Sequence, residues 1–159
     1  MPEFSRMPRD LETALSGDAF RRRRRLVVPL LTADPEGFPR VALLALGDVR
    51  ASSASRLAVA VMAGSRTAFN LVRRKTVTIL YLQRQITASI QARAGRGRVS
   101  SADPDRRLFP LAVERVRIDR PAEAEGEVSL LTGPTFAGPD AERLFSEELF
   151  AELGKVGGA

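Results

Sequence analysis

Hydrophobic positions along this chain change period several times, and the changes divide it. Leu11, Ala14, Leu15 and Ala19 recur at helical spacing, which predicts a short docking helix after about eight residues that carry no pattern and are expected to be disordered. From residue 26 the period shortens. Residues 26–32 and 39–46 are apolar runs of strand length, separated by Asp34-Pro35-Glu36-Gly37-Phe38, and this predicts a β-hairpin whose turn is made by the proline and glycine. Pro29 has no amide to give to a ladder, so it should stand at a bulge or an edge. Residues 47–56 are small and polar and read as a connecting loop. A third strand is expected over 57–63, a short helix with Phe69 and Val72 inward over 66–74, and a β-branched fourth strand over 76–83. The fifth covers 86–92 and continues toward 99, with a bulge or bend at Gly95 and Gly97. Residues 111–118 predict a half-exposed sixth strand and 127–132 a weaker seventh. Residues 139–153 place Ala141, Leu144, Phe145, Leu149 and Leu153 on one side of an amphipathic helix, with Gly154 positioned to stop it.

Six or seven strands with one helix between the third and fourth do not alternate as a doubly wound α/β domain would. They suit a mainly β protein with short helices, closed as an antiparallel barrel. The chain divides into an N-terminal helix and basic arm (1–25), a barrel domain (26–135) and a C-terminal amphipathic helix and tail (136–159). With 159 residues, 44% of them hydrophobic, one well-buried domain is expected. Strands 41–46 and 57–62 are apolar on both faces, so the outer face of the barrel must also be covered, by helices, a cofactor or a second subunit. A homodimer is the expectation. No apolar run approaches the ~20 residues that span a bilayer, and the N-terminus lacks the apolar core of a signal peptide, so a soluble cytoplasmic protein without membrane contact is expected.

Composition then narrows the chemistry. The absence of Cys and His excludes thiolate catalysis, zinc thiolate sites, a serine-histidine triad and the commonest transition-metal ligand, and no metal is expected. Chemistry here must use carboxylates, hydroxyls, arginines or a cofactor that brings its own reactivity. Five of the six net positive charges come from the arginine run at 21–25. With no interleaved aromatics and no second basic stripe, that run reads as a solvated junction rather than a nucleic-acid surface.

The stretch VMAGSRTAFNL, residues 61–71, runs from an apolar strand through a glycine turn into a helix. The first amides of a helix lack intrahelical partners and lie at the positive end of its dipole, so they suit an anion. Ser65 at the cap and Thr67 in the first turn offer hydroxyls, and Arg66 offers a planar fork for phosphate oxygens.

With "TADPEGFPRVALL" leading into the second strand and "GSRTAFNLVRRKTVTILYL" leading from the third into the fourth, residues 26–119 resemble the pyridoxamine-phosphate-oxidase-like flavoproteins. The resemblance implies an FMN-binding split β-barrel of six to seven mostly antiparallel strands, dimeric, with FMN at the subunit interface. It implies that Ser65 and Arg66 hold the phosphate, that Arg40, Val41, Ala42, Leu43 and Leu44 lie along the isoalloxazine ring, and that Val61 and Met62 approach the cofactor. Thr67 stands where the family has lysine, which removes a charge from the phosphate site; Arg40 is the first candidate to replace it. Oxidases that act on vitamin B6 end in a strand carrying tryptophan, and this chain has none. The expected activity is therefore that of an FMN-binding oxidoreductase passing hydride to or from another small molecule, with no catalytic residue assigned. Two alternatives are an F420-dependent reductase of the same fold and a cofactor-free split-barrel binding protein whose arginine run docks an acidic partner or nucleic acid. A haem-binding relative is disfavoured, because neither His nor Cys is available as an axial ligand and Tyr81, in an apolar strand, reads as core.

Overall fold

The computed structural model describes residues 2–16, 22–84, 86–119, 130 and 132–158. Its elements in chain order are β1 (Glu3–Phe4), α1 (Arg9–Ala14), β2 (Val27–Ala33), β3 (Pro39–Ala45), a 3-10 turn (Leu46–Asp48), β4 (Val49–Ser53) and β5 (Arg56–Met62). There follow α2 (Arg66–Arg74), β6 (Thr76–Leu82), β7 (Thr87–Ala94), β8 (Arg98–Val99), β9 (Arg106–Asp119), a 3-10 turn (Ala141–Leu144) and α3 (Glu147–Gly158). The main sheet is antiparallel and runs β3-β2-β6-β7-β9-β5-β4, with β1 and β8 added along β9. Its two outermost strands, β3 and β4, are consecutive in sequence and joined only by the Leu46–Asp48 turn. The sheet must therefore curl until its edges meet at that corner, which makes a barrel open along one side. Alternation does the rest. Leu30, Val59, Ile79, Ile90, Phe109 and Val116 point to a common interior and are fully buried there.

The β2–β3 hairpin pairs Val27↔Ala45 through Ala33↔Pro39, and Gly37 in its turn takes φ 91°, a conformation that favours glycine. Pro29 lies one residue beyond the β2–β6 ladder, which ends at Leu30↔Ile79, so its missing amide costs no pairing on that side. The expected loop at 47–56 contains β4, a strand too polar for its pattern to show, because only Val49 and Ala51 face the core. The sixth expected strand is longer than its apolar stretch and begins at Arg106, where β5 pairs with it from Met62↔Arg106 to Arg56↔Ala112. Residues 2–8 are not disordered. Glu3 and Phe4 pair with Arg117 and Val116, Glu3 makes ion pairs with Arg115 and Arg117, and Met7 enters the core. Leu11 and Leu15 of the docking helix are fully buried, as its spacing requires. Ala19, and most of the seventh strand expected at 127–132, lie outside the described residues.

The C-terminal helix packs on its own barrel. Leu149, Leu153 and Val156 cover Ala58, Ala60 and Leu108, which explains why β5 is apolar on both faces. Gly154 does not end α3, which runs on to Gly158. A side chain at 154 would stand 2.8 Å from the Arg50 guanidinium, which donates to the Phe150 carbonyl oxygen and stacks on the Phe150 ring. Glycine at 154 thus permits close approach between α3 and β4. Gly95 and Gly97 mark the bend between β7 and β8, and the ring of Phe109 fills the space a side chain at 97 would need. No described helix is long and apolar enough to cross a membrane.

Candidate functional site

Strand β5 ends in a tight turn that aims the start of α2 outward. Ser65 donates through both its amide and its hydroxyl to the Met62 carbonyl oxygen, at 3.1 and 2.7 Å. The same hydroxyl oxygen accepts from the Ala68 amide at 3.1 Å, so Ser65 is the N-cap of α2 and its hydroxyl is engaged in both directions. Among the described residues, nothing accepts from the amides of Arg66 or Thr67. The first turn of α2 carries no acidic residue, Gly64 stands in open space, and Arg66 is exposed. This is the local chemistry of an anion site: two open amides at a positive helix end with a cation beside them.

The ten residues singled out in the sequence divide by exposure. Along β3, side chains alternate between faces. Val41 (54% exposed) and Leu43 (60% exposed) stand on the outer face, whereas Ala42 packs against the core and Leu44 is buried in it. Arg40 pairs across the hairpin with Thr32 and shares the inward-facing side of that row. On β5, Val61 is buried and Met62 exposed. Thr67 is buried on the barrel side of α2, with Ala68 and Leu71. Arg40, Val41, Leu43, Met62, Ser65 and Arg66 are therefore accessible to a ligand, while Ala42, Leu44, Val61 and Thr67 would offer it main-chain atoms.

Helix α2 brings the two groups together. It packs on both β2 and β5, and Asn70 donates from Nδ2 to Thr32 Oγ1 at 3.0 Å within the buried interface. Since Thr32 pairs with Arg40, this bond ties the hairpin row that carries Arg40 to α2, one turn beyond Arg66. Arg74 donates to the Pro35 carbonyl oxygen at 2.7 Å and fastens the far end of α2 to the hairpin turn. Phe69 and Val72 point outward rather than inward, with Phe69 50% exposed and overlain by the Arg73 guanidinium at 5.7 Å. Sequence reasoning missed Asn70, Arg73 and Arg74. The buried Asn70 was visible only as a polar residue at position i+4 from Arg66, and its partner lies 38 residues away.

Burial shifts two ionisable groups of the barrel, Asp48 and Tyr81. Arg106, paired with Met62, reaches Asp48 at the barrel corner and the Ala60 carbonyl oxygen, so the end of β5 is tied to the 3-10 turn. Burial pushes the Asp48 carboxyl up to about 6, against the Arg106 guanidinium and the Ala45 amide, which pull it down. Tyr81 is a core residue, and burial raises its phenol against the pull of Arg23, which donates to its oxygen at 3.2 Å. One arginine of the basic run is thus engaged with the barrel. Among the described residues, no cluster of three acidic side chains could hold a metal ion.

No protein-family model and no curated protein matches this sequence. Solved structures do match its fold. A protein assigned as a pyridoxamine 5'-phosphate oxidase from Lactobacillus delbrueckii superposes with a TM-score of 0.55 at 15% identity, over 74% of this chain and 99% of the other. An FMN-binding protein from Syntrophomonas wolfei gives 0.54 at 9% identity, over 71% and 90%. An F420 reductase gives 0.50 at 11% identity, over 64% and 97%. The chain has the split β-barrel fold of the pyridoxamine-phosphate-oxidase-like and FMN-binding proteins.

Proposed function

We propose that this protein is an FMN-binding oxidoreductase in which flavin mediates hydride transfer to or from a small molecule. The observation that carries the reading is the β5–α2 turn, where two open amides and an exposed Arg66 meet at a helix start free of acidic residues. These residues fit a phosphate. The Arg66 and Thr67 amides and the Arg66 guanidinium would hold it, and Arg40, on the hairpin row fastened to α2, would supply the charge that Thr67 does not. Exposed Val41, Leu43 and Met62 would give the ring apolar surface, with a second copy of the chain covering the outer face of β3. When bound, flavin supplies the hydride chemistry, and the protein's own residues supply position, exclusion of water and charge. Neither His nor Cys is needed for that.

The test is absorbance after gel filtration of protein mixed with FMN or with F420, for the parent and Arg66→Ala. Arg66 is exposed, so loss of its contact should weaken FMN binding about fivefold. Retention of F420 with no retention of FMN would transfer the assignment to the deazaflavin. A parent that holds neither would make the fold a cofactor-free binding protein.

A further inference from the structure

The outer face of α2 carries a second constellation beyond the turn. A cleft of about 430 Å³ is lined by Pro35, Phe69, Asn70, Arg73 and Arg74. Three observations make it a built site. Its walls are fixed, since Asn70 is bonded to Thr32 and Arg74 to the Pro35 and Asp34 carbonyl oxygens. Its floor is an aromatic ring half exposed to solvent, with a guanidinium already stacked on it. Among the described residues Arg73 has no carboxylate partner, and α2 holds no acidic residue at all.

An exposed ring beside an unpaired cation suits a ligand with a planar ring and a negative charge. Arg66, Phe69 and Arg73 are spaced i, i+3 and i+7, within about 60° of one another around the helix, and the two arginines are about 10 Å apart along it. That span leaves room for two phosphate-bearing groups side by side. We propose that this cleft binds a nucleoside diphosphate, its base on Phe69 and its phosphates at Arg73, as a subsite separate from the Ser65–Arg66 turn. If the flavin reading holds, the occupant is the adenosine half of a nicotinamide dinucleotide that reduces the flavin. This last identification rests on that reading; the nucleotide subsite itself does not.

ADP is the probe, titrated calorimetrically into the full chain, with FMN retention measured in parallel. Phe69→Leu keeps apolar bulk but removes the ring, and Arg73→Gln removes the charge; each should weaken ADP binding about tenfold and leave FMN retention unchanged. Arg66→Ala should do the reverse. Loss of ADP binding in Arg66→Ala with none in Arg73→Gln would overturn the proposal, because the nucleotide would then be using the turn. So would the absence of ADP binding at millimolar concentration, or a shift of Phe69→Leu from dimer to monomer on gel filtration, which would assign the face to a second copy. ADP binding without FMN binding would sustain the subsite and sink the flavin reading; FMN binding without ADP binding would do the opposite.

Discussion

Glu152 on α3 is the strongest test of how the C-terminal helix is held. Its carboxylate accepts from Ser100 Oγ at 2.6 Å, the Ser101 amide at 2.9 Å, Arg98 Nη1 at 2.5 Å and the Ala102 amide at 3.3 Å. Burial alone would raise its pKa, but these four donors together outweigh it and bring the carboxyl from 4.5 down to about 2. That difference corresponds to about 3 kcal/mol of folding stability at neutral pH. The side chain is only 11% exposed, but Arg98 beside it is far more open, so screening should leave roughly half, ~1.5 kcal/mol. The folded-state pKa is depressed, so this contribution is complete above pH 4.5 and disappears as the pH falls toward 2. Urea unfolding followed by far-ultraviolet circular dichroism, which needs no tryptophan, should therefore show Glu152→Gln destabilised by ~1.5 kcal/mol at pH 7, with the gap closing by pH 2.5. A gap that stays constant with pH would show that the loss is of shape and not of charge, and the account of the four donors would fail.

Asp48 should slope the other way. Its folded-state pKa is raised to about 6, so its contribution to stability is greatest below the unfolded value near 4 and is lost as pH rises through 6; melting temperature against pH should lose that fall in Asp48→Asn. Thr32→Val strands the buried Asn70 donor and should cost about 1 to 3 kcal/mol. Most of that should return in Thr32→Val/Asn70→Leu, as measured by a denaturant double-mutant cycle. Lys75 caps α2 with φ 61°, a left-handed conformation that glycine takes without strain, so Lys75→Gly should raise stability by up to about 1 kcal/mol in the same assay.

Elements with a one-sided or two-sided apolar pattern were legible in the sequence, and those defined by what they touch were not. The β2–β3 hairpin and α2, the latter to the residue, follow from period, turn chemistry and capping. Strand β4 was hidden because an edge strand with one buried face and short polar residues has the composition of a loop. The order of β1 at the N-terminus depends on pairing with residues more than 100 positions away, which no local pattern reports. Phe69 and Val72 were misplaced for a related reason. A nine-residue helix can turn either its aromatic or its Thr67-Ala68-Leu71 side inward, and the small side wins here because α2 lies close to the strands and donates from Asn70 to Thr32. Of the candidate site, the turn and its cap were readable; the division of Arg40 to Leu44 between the two faces of β3 was not drawn from the sequence, and the link from Arg40 to α2 was hidden because it runs through a side-chain bond between α2 and β2.

That link bears on the one departure from the expected phosphate motif. Thr67 faces the barrel with Ala68 and Leu71, in a seam already closed by the Asn70 bond, so a long cationic side chain there would have to thread between helix and sheet. The positive charge of α2 lies instead on Arg66 at its start and on Arg73 and Arg74 in its last turn, where the latter two also complement the helix dipole. An anion at the turn is then met by two fixed amides and one exposed guanidinium. The amide contribution is directional and little affected by salt, whereas an exposed cation near ~4 Å is worth only about 1 kcal/mol in water and is screened further by ions. Under the proposed flavin reading, threonine at 67 in place of the expected lysine would forgo the most salt-sensitive part of a phosphate grip and keep the amides that fix geometry, so a phosphate-bearing ligand would be selected at reduced affinity. On the same reading Arg40 would restore the missing charge only as far as the Asn70–Thr32 bond holds the hairpin against the helix, and that buried bond would act as a positioning element of the proposed anion site.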